Sequence, residues 1–163
     1  MIGAVAMAVH GVSRSTRDLD LFTTARECLV DAAWDDLRAA GIEARVRPGD
    51  SDDPLAGVVR FTREGEHPID LVVGKSAWQA GVAANARDAQ IEGVAVPVAS
   101  RVELILLKLY AGGSQDAWDI EQLLAGPERE GLMTGVEAGL GALPSRCREL
   151  WIRMREAGGR GQS

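Results

Sequence analysis

The chain has 163 residues, 46% of them hydrophobic and 26% charged, which suits a folded globular domain with a real core and excludes a disordered or fibrous segment. Its 18 basic and 24 acidic residues leave a net charge of −6, so it does not grip nucleic acid through bulk positive charge and shows no DNA-binding signature. No apolar run approaches the roughly 18 residues that cross a bilayer, and "MIGAVAMAV" lacks the basic leader of a signal peptide, so no membrane association is expected.

In chain order, the small apolar run Ala4 to Val9 follows a glycine and suits a short helix. "GVSRST" is a turn, and "DLDLF" alternates as a strand, with Asp18 and Asp20 on one side and Leu19 and Leu21 on the other. "TARE", Thr24 to Glu27, reads as a capping box that opens a helix with the apolar stripe Cys28, Leu29, Ala32, Ala33 and Leu37, ended by Gly41. "IEARVR" alternates as a strand, and "PGDSDDPLAG" is a surface loop. "GVVRFTR", "EGEH" and "PIDLVVG" read as a hairpin. "SAWQAGVAANA" suits a short helix and "IEGVAVPVA" an extended segment. "SRVE", Ser100 to Glu103, is a second capping box, opening "RVELILLKLYA"; Gly112 and Gly113 stop that helix, and Ser114 caps the next, "QDAWDIEQLLA". One or two weaker helices and a frayed tail over 158–163 complete the chain. The expected fold class is α/β (α+β): one domain over 1–163, with a small sheet core over about 1–99 and a helical part over about 100–157.

Period-2 spacing places the carboxylates of Asp18 and Asp20 on one strand face, about 7 Å apart along the strand. Unpaired carboxylates facing one way repel each other and resist burial; a divalent cation removes that penalty. Asp70, in "PIDLVV", is a third acid alone among apolar residues. Three such carboxylates suit a Mg²⁺-assisted phosphoryl-transfer site. Relief of their mutual repulsion predicts that a metal-free Asp18→Asn or Asp20→Asn variant is no less stable than the natural chain. An edge strand carrying aspartates on its solvent face is the bland alternative. Gly3 ahead of a helix suits a phosphate-cradling turn, and Arg14 and Thr16 stand just before the aspartates.

In the second half, Leu104, Leu107 and Lys108 share a helix face, which draws Lys108 partly toward the core. Its ammonium either snorkels from the helix edge or reaches phosphate. Asp116 and Asp119 share a face near the start of the following helix, where the dipole favours acids. His10 reads as structural. Trp34, Trp78, Trp118 and Trp151 read as packing anchors, and Cys28 and Cys147, which fit no metal spacing, as small apolar residues in a reducing cytoplasm. Arg45, Arg47, Arg60 and Arg63 read as a solvated sheet face, with an acceptor groove as the alternative.

Taken together, "IGAVAMAVHGVSRSTRDLDLFTT", the lone Asp70 and "LLKLYAGGSQDAWDIEQLL" resemble the nucleotidyltransferase superfamily typified by DNA polymerase beta, and within it the bacterial branch of AbiEii-like toxins of type IV toxin–antitoxin systems. The likeness extends from Ile2 to about Leu124. Gly3-Ala4 stands where that family carries Gly-Gly or Gly-Ser, and Met1 and Ile2 stand where it carries a helix and most of a strand.

The resemblance implies a nucleotidyltransferase-type small mixed sheet with flanking helices. It also implies transfer of a nucleoside monophosphate from an NTP to a hydroxyl of RNA, such as a tRNA end, or of a protein, with a cognate antitoxin as partner. Asp18, Asp20 and Asp70 would bind Mg²⁺ or Mn²⁺, and Asp70 would also help activate the hydroxyl. Gly3, Arg14, Thr16 and Lys108 would serve the nucleotide, with Asp116 and Asp119 positioning Lys108 or the acceptor. A catalytically impaired nucleotide- or partner-binding module of the same fold and an antibiotic-modifying nucleotidyltransferase share these residues.

Overall fold

The computed structural model describes residues 1–13 and 18–160, with side chains to residue 156. Arg14 and Thr16, expected at the nucleotide, lie outside the described residues. The elements are mixed: a four-stranded sheet, a two-stranded sheet and helices, an α+β class as the composition and alternation predicted. Two compact units divide the chain, Met1–Ser100 and Arg101–Ser163. Among the described residues no helix is long and apolar enough to cross a membrane.

The first unit is built on the sheet order β1-β4-β3-β2, where β1 is Leu19–Thr23, β2 Glu43–Pro48, β3 Leu55–Thr62 and β4 Ile69–Gly74. β3 and β4 form the expected antiparallel hairpin, β2 runs antiparallel to β3, and β1 lies parallel to β4. Register sorts the residues by face. Leu19, Leu21, Ile69, Leu71, Val59 and Phe61 share the apolar side. Trp34 meets Phe61 edge-on there, with ring centroids 4.8 Å apart. The opposite side carries one charged row across the whole sheet: Asp20, Asp70, Arg60 and Arg45 are successive register partners.

Helix α1, Gly3–Val9, follows an isolated bridge between Ile2 and Asp20 and buries Ala4, Ala6 and Met7. His10 is structural, as expected: its Nε2 lies 2.8 Å from the Ala99 carbonyl oxygen.

The helix expected from Thr24 does not form as one piece. Two short 3-10 turns, Arg26–Leu29 and Asp31–Trp34, precede a brief α2, Asp35–Ala39, and Val30 between the turns is extended. Thr23 rather than Thr24 receives the local bond, its Oγ1 accepting from the Ala25 amide at 3.1 Å. Side chains replace helical bonds: Trp34 Nε1 donates to the Cys28 carbonyl, and Arg38 donates to the carbonyls of Asp31 and Ala44. Packing on the sheet thus overrides the helical pattern.

After the 3-10 turn Ala77–Gln79 and α3, Ala80–Ala84, a second hairpin appears: β5, Arg87–Ile91, pairs with β6, Val94–Val98. The single extended segment expected from Ile91 is its second half. Glu92 and Gly93 make the turn with φ of 51° and 82°, the left-handed pair that suits the twist of a tight hairpin.

The second unit is helical: α4 Arg101–Ala111, α5 Ser114–Leu123, α6 Arg129–Gly139 and α7 Ser145–Arg160. Leu104, Ile105, Leu109, Ile120, Leu123, Val136, Cys147 and Trp151 form its buried core. Helix α4 lies close on α6 because Gly139 has no side chain; a Cβ there would come within 2.7 Å of Leu106 Cδ1. Arg101 donates to the carbonyls of Leu123 and Ala125, satisfying the end of α5.

Three expectations fail here. Gly113, not Ser114, stands at the cap of α5, and the Asp116 carboxylate accepts its amide at 2.9 Å. Trp118 is 48% exposed rather than buried as a packing anchor. Helix α7 continues through Gly158 and Gly159 to Arg160, residues assigned above to the tail; a glycine costs a packed helix only about 1 kcal/mol. Residues 161–163 lie outside the described residues.

Both cysteines are free; Cys28 is half-buried and Cys147 fully buried, and burial pushes the Cys147 thiol above its ordinary value. A thiol reagent applied to the native protein is therefore expected to modify Cys28 first, with Cys147 about a hundredfold slower because it must wait for opening of the helical unit. Equal rates for the two thiols in a disulfide-exchange assay would show that the core around Trp151 is loose.

Candidate functional site

The carboxylates singled out by their spacing gather on the charged face of the four-stranded sheet. Asp20 on β1 and Asp70 on β4 are direct register partners on neighbouring parallel strands, about 4.8 Å apart in backbone spacing. Asp18, one residue ahead of β1, lies on the same side as Asp20. Each residue is there for a local reason: alternation turns its neighbours Leu19, Leu21, Ile69 and Leu71 to the apolar side.

The geometry adds a residue that sequence reasoning left on a solvated face. Arg60, the β3 partner of Asp70, donates from Nη1 to Asp70 Oδ2 at 2.9 Å and from Nη2 to Asp18 Oδ2 at 3.3 Å. One planar guanidinium thus ties two of the three acids together. The repulsion expected among the acids is therefore partly offset inside the protein. An Asp18→Asn substitution removes an ion pair as well as a like charge. The signal that could have found Arg60 was the hairpin itself, since closing it around "EGEH" places position 60 against position 70.

Asp70 Oδ1 is buried and has no hydrogen-bond partner among the described residues. Asp20 packs on the first residue of α1, and a Cβ at Gly3 would fall 2.0 Å from Asp20 Oδ2. Asp20 Oδ2 thus occupies the space that a side chain at position 3 would need. Among the described residues no group of three His, Cys, Asp or Glu side chains stands assembled to hold a metal ion. The donor chemistry still fits Mg²⁺: hard carboxylate oxygens, one of them buried and unpartnered, with Arg60 engaged on two of the acids.

Beside Asp70 and Arg60 the same face opens into a groove of about 280 Å³, lined also by Arg47, Asp53, Leu55 and Val58. Its rim is braced. Lys75 donates to the carbonyls of Asp50 and Ser51, and Asp50 Oδ1 accepts from the amides of Asp52 and Asp53. Arg45 at the end of the charged row is engaged elsewhere: with Thr62 it hydrogen-bonds Glu43 and holds that carboxyl below its ordinary value. Arg63 pairs with Glu66.

The second group of expected residues belongs to the helical unit. Lys108, in the last turn of α4, donates to Asp119 Oδ2 and, at 3.2 Å, to Asp116 Oδ1 on α5. Its side chain is 12% exposed and that of Asp119 is 0% exposed. Two glycines between the helices let α5 double back far enough for this contact. Asp116 and Asp119 thus both accept from the Lys108 ammonium.

Compared with protein-family models and with curated proteins, the chain matches none.

Proposed function

We propose that the protein is a cytoplasmic, metal-dependent nucleotidyltransferase that moves a nucleoside monophosphate from an NTP to a hydroxyl acceptor and releases pyrophosphate. The observation that carries this reading is the register pairing of Asp20 with Asp70 on adjacent parallel strands, on the side of Asp18, with Asp70 Oδ1 buried and unpartnered among the described residues. Asp18, Asp20 and Asp70 would hold Mg²⁺ or Mn²⁺, which when bound neutralises phosphate charge and favours ionisation of the attacking hydroxyl.

The chain's own residues do the rest. Asp70, the one of the three acids that lines the groove, accepts the proton of the acceptor hydroxyl. The hydroxyl oxygen forms a bond to the α-phosphorus as the bond to the β-phosphate bridge breaks, and the electron pair leaves with pyrophosphate. Arg47 and Arg60 line the groove and supply fixed positive charge to phosphate oxygens. For Lys108, Arg14, Thr16 and Gly3 the support is the sequence resemblance. The same holds for an RNA or protein acceptor and for a toxin restrained by an antitoxin.

Incubation with labelled NTPs, Mg²⁺ and cell extract is expected to label an acceptor. Asp20→Asn is expected to reduce labelling by at least about a hundredfold. Equal labelling by both proteins sinks the assignment. A second reading is favoured by one observation: Arg60 already engages Asp18 and Asp70. On that reading the protein binds NTP without transfer, so NTP raises the melting temperature while no acceptor is ever labelled.

A further inference from the structure

We propose that Arg60 is an internal counter-cation that competes with the divalent metal for Asp18 and Asp70, and that the displaced guanidinium becomes a phosphate contact in the adjacent groove. The inference rests on the transferase reading of the same carboxylates and deepens it.

Arg60 holds two places at once. Its Nη1 and Nη2 donate to Asp70 and Asp18, and its side chain lines the groove together with Arg47 and Asp53. Acids on one sheet face need a compensating charge, which either the guanidinium or a metal ion can supply. The two cannot take the same carboxylate oxygens together. A metal that takes Asp18 Oδ2 and Asp70 Oδ2, the oxygens Arg60 holds, in addition to the unpartnered Asp70 Oδ1 therefore evicts the guanidinium. The charged row directs where it goes. On the β2 side of Arg60 stands Arg45, a like charge already committed to Glu43. Asp70 itself lines the groove, where Asp53 is the further acid and Arg47 supplies a positive charge that favours an anion once the metal neutralises Asp70. An anion that draws Arg60 aside makes the acids available to metal, and metal makes Arg60 available to the anion. By linkage the two effects are equal.

The test is Mg²⁺ titration calorimetry at constant ionic strength on the natural chain, Arg60→Gln and Arg60→Lys, with and without inorganic phosphate, folding being checked by circular dichroism. Arg60→Gln is expected to bind Mg²⁺ at least about tenfold more tightly than the natural chain, because its competitor is gone. Arg60→Lys, with a point charge and no fork, is expected to fall between them and serves if the glutamine variant does not fold. Phosphate is expected to tighten Mg²⁺ binding several-fold in the natural chain and not in Arg60→Gln.

Equal or weaker Mg²⁺ affinity in both variants overturns the competition, and an equal phosphate effect in Arg60→Gln overturns the hand-over. Labelled transfer by the natural chain with unaltered Mg²⁺ affinity in the variants leaves the transferase reading standing without this inference. Tighter Mg²⁺ binding in Arg60→Gln with no transfer by the natural chain does the reverse. Absence of Mg²⁺ binding in all three proteins overturns both.

Discussion

Lys108→Met is expected to cost about 3–5 kcal/mol of stability, because it takes the ammonium away from the buried Asp119 carboxylate. Asp119 is wholly buried, and Lys108 reaches it from the last turn of α4. The larger part of the cost is the penalty of keeping a buried carboxylate after its ammonium partner is removed. This distinguishes charge from packing. The double variant Lys108→Met, Asp119→Leu removes both charges and is expected to recover most of the loss, whereas a packing defect would persist or worsen. Asp116→Asn is expected to cost about 1 kcal/mol, since Asp116 is partly exposed and Lys108 keeps Asp119. Urea unfolding followed by far-ultraviolet circular dichroism measures all three. A loss below about 1 kcal/mol for Lys108→Met would mean that the carboxylate is solvated and the triad is a surface feature.

The second large effect is expected at Gly3. Its φ of +67° lies in the left-handed region, where a side chain costs about 1–2 kcal/mol. A Cβ at this position would also overlap Asp20 Oδ2 at 2.0 Å, forcing the carboxylate or the start of α1 to move, for a further 1–3 kcal/mol or so. Gly3→Ala is therefore expected to lose about 2–5 kcal/mol in total. The two contributions separate in a double-mutant cycle. Asp20→Ala removes the closest atoms, Oδ2 at 2.0 Å and Cγ at 2.8 Å, and leaves its own Cβ at 2.9 Å and the backbone strain, so the pair should be non-additive by at least about 1 kcal/mol in the direction of rescue. Additive losses would show that Gly3 and Asp20 do not share the space. If the carboxylate turns away in Gly3→Ala, the variant should also lose Mg²⁺ affinity, which calorimetry would detect.

The amino-acid pattern alone determined the parts of this protein that depend on neighbours in sequence. Alternation in "DLDLF" assigned Asp18 and Asp20 to one face, because a strand turns every second side chain the same way, and the apolar run "PIDLVV" assigned Asp70 to a strand. The turn "EGEH" closed the hairpin of β3 and β4, and the glycine pair at 112 and 113 ended α4. Gly3 was legible as a special position, though its neighbour, the carboxylate of Asp20, was not.

Tertiary structure decided the rest, and for one physical reason: a contact partner depends on pairing between distant segments, which no local period encodes. The parallel pairing of β1 with β4, 50 residues on in register, is what brings Asp20 beside Asp70. With the antiparallel β3, the same pairing delivers Arg60 to both Asp70 and Asp18 and turns a solvated arginine into part of the site. The helical pattern after Thr24 yielded to the sheet it covers, because the burial of Trp34 on Phe61 and the side-chain bonds of Arg38 outweigh a propensity of a few tenths of a kcal/mol per residue. Lys108 was legible as a lysine half-drawn into a core. Only the folding back of α5 made Asp119 its buried partner, since that contact spans two helices and the turn between them.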